Sequence, residues 1–279
     1  KQISPQTKII YGGPQPSIMP EEMMKIPEVD AVALKEGEET FVEITKKKGN
    51  FKNIKGTWYR ENGEIIKNPL RKPVQDIDKF PFPARHLVDM EQYIKNWYQL
   101  DSVSTNLRGT GMIASRGCPY RCSFCQPILD EMFGRDMRRR SAKNIIAEMK
   151  ELKEKYNINA FEFLDDTFTI YPNWVKEVCD EMIAEELNFS WGCLTRANLV
   201  TEEVFKKMQK AGLKQVYIGM ESGSQRVLDE VYQKDIKIEH VHNSVRILKK
   251  LGIRIQGFFM IGGPTETEGE ITYHHNNTE

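Results

Sequence analysis

The sequence predicts an α/β protein: a partial parallel (β/α) barrel preceded by the C-terminal part of a doubly wound α/β domain. Three observations predict it. From about Gly109 onward, five short apolar runs alternate with stretches of helical spacing, the order that parallel βα units require. A shorter strand–helix–strand alternation occupies residues 1–50. Between them, residues 51–104 carry a hairpin signal and a proline-bearing linker.

In the first segment, Thr7 to Tyr11 reads as a short buried strand ending at Gly12-Gly13. Pro20 opens a helical turn over Glu21 to Lys25, and Asp30 to Leu34 reads as a second strand. Glu38 to Lys47 reads as a helix with Phe41, Ile44 and Thr45 on one face. The first strands of such a domain are expected upstream of Lys1. Thr57 to Arg60 and Glu64 to Lys67 flank Glu61-Asn62-Gly63, a hairpin turn signal. Pro81 and Pro83 suit an extended linker over Asp76 to Arg85.

In residues 105–279 the expected strands are Gly111 to Ser115, Ala160 to Leu164, Phe189 to Thr195, Gln215 to Met220 and Arg254 to Ile261. Ser141 caps a helix through Tyr156, with Ile145, Met149, Leu152 and Tyr156 on one face. Pro172 to Leu187 is the next helix. Thr201 caps another, which Gly212 ends, and Ile236 to Leu251 is the last, ended by Gly252. About 170 residues, against ~250 for a full eight-stranded barrel, make this barrel partial or cut at its C-terminal end.

The composition is that of an ordinary globular protein: 279 residues, 39% hydrophobic and 29% charged, with zero formal net charge. That balance gives no sign of a general nucleic-acid binder. No apolar run approaches the ~20 residues of a membrane helix, and Lys1 to Ile10 lacks the apolar core of a signal peptide. The chain begins without Met, so a fragment or a processed chain is expected.

Five cysteines are present and three fall within eight residues. An odd, clustered count argues for a metal site in a reducing, cytoplasmic compartment and against a disulfide framework. Cys118, Cys122 and Cys125 are spaced C-x3-C-x2-C in SRGCPYRCSFCQ, after the first barrel strand. That is the face where barrel active sites sit. Three thiolates from one loop can hold three irons of a [4Fe–4S] cubane and leave the fourth open. Gly117 and Pro119 help the loop fold tightly, and Phe124 is expected to pack beside the cluster. A structural zinc site is the competing reading, but it wants a second ligand pair that this sequence does not supply.

This spacing, with an aromatic before the last Cys, resembles the signature of the radical S-adenosylmethionine superfamily. The resemblance implies that the methionine amino and carboxylate groups chelate the open iron. An electron from the cluster then breaks a carbon–sulfur bond to give a 5′-deoxyadenosyl radical. The other strand ends offer polar residues suited to a zwitterionic nucleoside. Asp165 and Asp166 follow the second strand, Arg196 the third, Glu221 and Ser222 the fourth, and Gly262 and Gly263 the fifth. Glu221 suits ribose hydroxyls, Arg196 the methionine carboxylate, and the glycines close backbone approach to adenosine.

From about Ile9 to Glu268 the strings resemble the cobalamin-dependent branch that includes the anaerobic magnesium-protoporphyrin IX monomethyl ester cyclase family. The resemblance implies that YGGPQPSIMPEE, with Gly12 and Gly13, passes close to the nucleotide tail of cobalamin, and that EGEETFVEI is the last helix of that domain. The D-x-H-x-x-G segment with the cobalt-ligating His is absent from these residues.

The expected function is therefore cleavage of S-adenosylmethionine with cobalamin, for methyl transfer or ring formation on a small-molecule substrate. The electron donor would be a flavodoxin or ferredoxin. The alternatives are a cobalamin-independent adenosyl-radical enzyme and a non-catalytic iron–sulfur module. Cys179 and Cys193 read as core, Arg138 to Arg140 as a solvated helix start, and Trp58, Trp97, Trp174 and Trp191 as core or interface. His274 and His275 read as part of an unstructured polar tail.

Overall fold

The computed structural model describes residues 3–100, 103–104, 106–125 and 128–271; His274 and His275 lie outside them. The described residues fall into two units, one within 1–75, 117–119 and 125–137, the other within 76–116, 120–124 and 138–279.

The first unit is built on a four-stranded sheet: β1 (Ile10–Gly12), β2 (Ala31–Ala33), β3 (Thr57–Glu61) and β4 (Glu64–Lys67), in that order. β1 and β2 run parallel, and β3 and β4 continue antiparallel. Both early strands are shorter than the sequence suggests. One reason is that Ile9 N donates to the Asp30 carboxylate at 2.7 Å rather than to a neighbouring strand. Successive β2 residues serve opposite faces: Ala31 packs with Ile44, Phe51, Ile54 and Tyr59, Val32 with Met24, Val29 and Leu34. The β3–β4 turn places Asn62 and Gly63 at φ +51° and +84°, the left-handed pair that two-residue hairpins favour.

The helix Glu38–Lys46 forms, but its buried face differs from the expected one. Thr40 and Ile44 face inward, and Phe41 is 61% exposed. Thr40 can take the inward place because its hydroxyl donates to Lys55 O at 3.3 Å and accepts from Arg71 Nε at 3.0 Å. A buried polar group so bonded costs little.

The second unit carries a five-stranded, wholly parallel sheet: β5 (Gly109–Met112), then β8 (Ala160–Phe163), β9 (Ser190–Thr195), β10 (Leu213–Glu221) and β11 (Arg254–Phe259), paired in chain order. A small antiparallel pair, β6 (Ser115–Arg116) and β7 (Arg138–Arg139), stands apart from it. The five expected strands are all present, and the sheet they make is open, with β5 and β11 at its edges among the described residues. The first expected strand is split in two.

One face of this sheet carries an aromatic core. Phe163 stacks on Phe168 with centroids 4.4 Å apart, and Trp191 lies parallel to Phe161 at 6.1 Å. The helix Ala142–Tyr156 is opened by Ser141 Oγ accepting from Asn144 N at 3.2 Å, and its Ile145, Met149 and Leu152 are buried. Cys179 and Cys193 are fully buried, and burial pushes the Cys179 thiol up to about 12 and the Cys193 thiol well above its usual range. Both behave as core residues. Thr201 stands at the start of its helix, but its side chain makes no capping bond.

Arg138 to Arg140 depart from the solvated reading. Arg138 and Arg140 are buried, and only Arg139 is exposed, its guanidinium 4.0 Å from the Tyr171 ring centre. Arg140 donates to the Glu148 carboxylate and, at 2.9 Å, to Ile113 O. Glu148 also holds Arg85 Nη2 at 2.6 Å. The proline-bearing segment is thereby fastened to the second unit rather than left as a free spacer. Asp78 helps, accepting from Ser141 N at 3.0 Å.

Candidate functional site

The cysteine loop leaves the sheet after β5. Two features of the second unit hold its start. β6 and β7 pair Ser115 with Arg139 and Arg116 with Arg138. The Asp165 carboxylate, just past β8, accepts from Ala114 N at 3.1 Å and from Ser115 Oγ. Asp165 is 1% exposed, and burial raises its carboxyl to about 7. The structure thus places Asp165 as a brace beneath the loop, whereas Asp166 is exposed.

Gly117 sits at φ +93° in the first unit, where a Cβ would come within 3.0 Å of Asp136 O and 3.3 Å of Gly134 O. Only glycine accommodates both the left-handed backbone and the close approach. Cys118 and Cys122 are buried, and Cys125 is half-buried.

Within the second unit, the middle of the loop is bound to the end of the π-helical turn Val227–Val231 and to the residues that follow it. Ser123 N donates to Tyr232 O at 2.9 Å and Ser123 Oγ to Val231 O at 2.6 Å. The Phe124 ring meets Tyr232 edge-on at 5.5 Å, and Lys234 Nζ lies 5.5 Å from its centre. Arg196, 5% exposed, donates from Nη1 to Cys122 Sγ at 3.2 Å and from Nη2 to Lys234 O. Its guanidinium lies 3.6 Å from the Tyr120 ring centre.

At the end of β10, Glu221 adopts φ +59°, a conformation that non-glycine residues seldom take outside constrained sites. Its carboxylate pairs with Lys234 Nζ at 2.8 Å, both groups buried. A Cβ on Gly219 would lie 2.2 Å from Glu221 Oε1 and 2.6 Å from Lys234 Nζ, so the pair occupies the place that a side chain there would fill. Ser222 is buried and its Oγ accepts from Ser224 N at 3.1 Å. After β11, Gly262 N and Gly263 N both donate to Glu266 Oε2, at 2.7 and 3.1 Å. A Cβ on Gly263 would lie 2.8 Å from Tyr232 Oη.

In the first unit, Gly12 closes β1, and a Cβ there would meet nothing nearer than Ala33 at 3.8 Å. Gly13 has φ +99° and precedes the helix Pro14–Ile18, with Ser17 Oγ donating to its carbonyl at 2.7 Å.

Sequence reasoning did not single out Lys234, Tyr120 or Tyr232, which the structure ties to Glu221, Arg196 and Phe124. A lysine thirteen residues beyond a strand-end glutamate carries no local signal. It also missed Glu162, at mid-strand in β8 between Gly111 of β5 and Gly192 of β9. Glu162 is 4% exposed, its Oε2 has no partner among the described residues, and burial lifts its carboxyl to about 7.

An acid whose pKa rises on folding stabilises the fold in its protonated form. The contribution is complete below the ordinary glutamate value and is lost as pH rises through about 7. Glu162→Gln is therefore expected to stabilise the protein at pH 8 by about 1–2 kcal/mol and to leave it unchanged near pH 4. Relaxation and water entry keep the gain below full conversion of the shift. Urea unfolding at the two pH values checks this, and equal effects at both would refute it.

Among the described residues, no three His, Cys, Asp or Glu side chains form a preformed metal group. The fit to an iron–sulfur cluster rests on donor chemistry, three thiols in one short loop. It rests also on Arg196, whose buried Nε has no partner among the described residues.

Residues 112–276 match the family model described as the Radical SAM superfamily. An uncharacterized methyltransferase of Pyrococcus horikoshii is 35% identical over 275 residues, covering 97% of this chain and 57% of that protein. The anaerobic magnesium-protoporphyrin IX monomethyl ester cyclase of Rubrivivax gelatinosus is 29% identical over 277 residues, 96% of this chain and 48% of that protein. Among solved structures, the radical S-adenosylmethionine methyltransferase TsrM of Kitasatospora setae, with cobalamin and a [4Fe-4S] cluster bound, superposes with a TM-score of 0.78 at 16% identity. That match covers 97% of this chain and 53% of TsrM. The likeness bears out the α/β fold, and the chain spans about half the length of the relatives it matches.

Proposed function

The chain belongs to the radical S-adenosylmethionine superfamily, and on that premise we propose that it serves an enzyme that cleaves S-adenosylmethionine at a cluster held by Cys118, Cys122 and Cys125. The observation that carries the reading is the family match over residues 112–276, which contains all three cysteines. A [4Fe–4S] cluster so held supplies an electron and an open iron. Asp165 and the β6–β7 pair fix the loop's start, and Arg196 and Tyr232 fix its middle. Glu221 and Lys234 offer paired, buried charges for a zwitterionic ligand, with Ser222, Asp166, Gly262 and Gly263 at neighbouring strand ends.

The reaction is methyl transfer or carbon-skeleton and ring formation on a small molecule, in a reducing cytoplasm, with electrons from a flavodoxin or ferredoxin. The relatives' names support both reaction types. Residues 1–50 are the C-terminal part of a cobalamin-binding-like α/β domain, and the cobalamin bound to TsrM supports that assignment. Among the described residues, no helix is long and apolar enough to cross a membrane.

The test is anaerobic reconstitution of the protein extended upstream, followed by iron assay, product search and cobalamin titration. About four irons, 5′-deoxyadenosine or S-adenosylhomocysteine, and bound cobalamin are expected. Glu221→Ala should weaken S-adenosylmethionine binding about tenfold while keeping the iron, as loss of one charged hydrogen bond would. Gly12→Val is the clean steric probe for cobalamin, because Gly13→Val would also strain a left-handed backbone. Stoichiometric zinc without a cluster spectrum would refute the reading. Iron and cleavage without cobalamin would favour an adenosyl-radical enzyme that works without it.

A further inference from the structure

We propose that Arg196 tunes the cluster through Cys122, raising its reduction potential by a charged hydrogen bond to the ligating sulfur. The inference rests on the cluster assignment and deepens it. Arg196 was expected at the methionine carboxylate. In the structure its Nη1 is instead committed to Cys122 Sγ at 3.2 Å.

The guanidinium is held on three sides. The Tyr120 ring, 3.6 Å from its centre, sets the plane. Lys234 O takes Nη2 and sets the rotation within that plane. What remains for Nη1 is the sulfur. The side chain is 5% exposed, so water does not screen the pair as it would at a surface. A guanidinium keeps its charge at all accessible pH values.

Reduction adds an electron to the cluster, and part of that charge resides on the sulfurs. A fixed cation and a donated N–H at one sulfur stabilise the reduced form more than the oxidised form, which moves the potential upward. Arginine suits this place better than lysine, because only a planar fork can stack on Tyr120, bond Lys234 O and reach Cys122 together.

The experiment is a spectroelectrochemical titration of the reconstituted protein without S-adenosylmethionine, comparing the parent with Arg196→Met, Arg196→Lys and Tyr120→Leu. Arg196→Met should keep its iron, shift the midpoint to more negative potential and alter the electron paramagnetic resonance g-values of the reduced cluster. Arg196→Lys should recover part of the shift, and Tyr120→Leu should show a smaller shift of the same sign. Iron-replete Arg196→Met with the parent's midpoint and spectrum would overturn the proposal, as would a defect seen only when S-adenosylmethionine is added. Should Arg196→Met fail to hold iron, unchanged midpoints in both other variants would overturn it equally. A parent that forms no cluster would instead overturn the assignment beneath it.

Discussion

Alanine at Cys118, Cys122 or Cys125 is expected to take the reconstituted protein from about four irons per chain to near none, and to lower S-adenosylmethionine cleavage at least ~10³-fold. Three thiolates are the minimum that holds a cubane while keeping one iron open, so no remaining ligand can substitute for a lost one. Cys179→Ala and Cys193→Ala are the controls. Both thiols are fully buried and burial raises both pKa values, so neither supplies a thiolate ligand. Each should cost about 1 kcal/mol of stability through lost packing and keep the iron. Iron and sulfide assays with the visible spectrum decide it. Retention of four irons by any of the three loop variants, or their loss in a control, would contradict the assignment.

Glu148→Ala is expected to give the largest loss of stability, about 3–5 kcal/mol, or on the order of 10 °C in Tm. Glu148 is 1% exposed and joins Arg85 to Arg140. Removing it leaves two buried cations facing each other without the anion between them, whereas Glu148→Gln keeps the hydrogen-bonding shape and should cost less. The effect should reach the site. Arg140 also donates to Ile113 O, directly before the residues that Asp165 braces, so loosening the triad frees the start of the cysteine loop. Denaturant unfolding of both variants, with iron retention measured alongside, checks the two claims. Parent-like stability of Glu148→Ala within about 0.5 kcal/mol would show that the triad contributes nothing net.

What the sequence by itself determined were features written in neighbouring residues. The C-x3-C-x2-C spacing, the Asn62-Gly63 turn, the Ser141 cap and the five apolar runs each depend on residues a few positions apart, and the turn, the cap and the five strands recur in the structure. The family resemblance rested on the same local strings and is borne out by the match over residues 112–276. Tertiary structure decided the partners of charges. Arg196 meets Cys122 across 74 positions, Asp165 meets Ala114 across 51, and Arg85 and Arg140 share Glu148. A sequence pattern shows that a charged residue is present, but whether it is solvated, paired or neutralised depends on what the fold packs around it. Arg138 and Arg140 therefore read as surface and are buried, Glu162 carried no signal at all, and Thr40 took the inward place expected of Phe41.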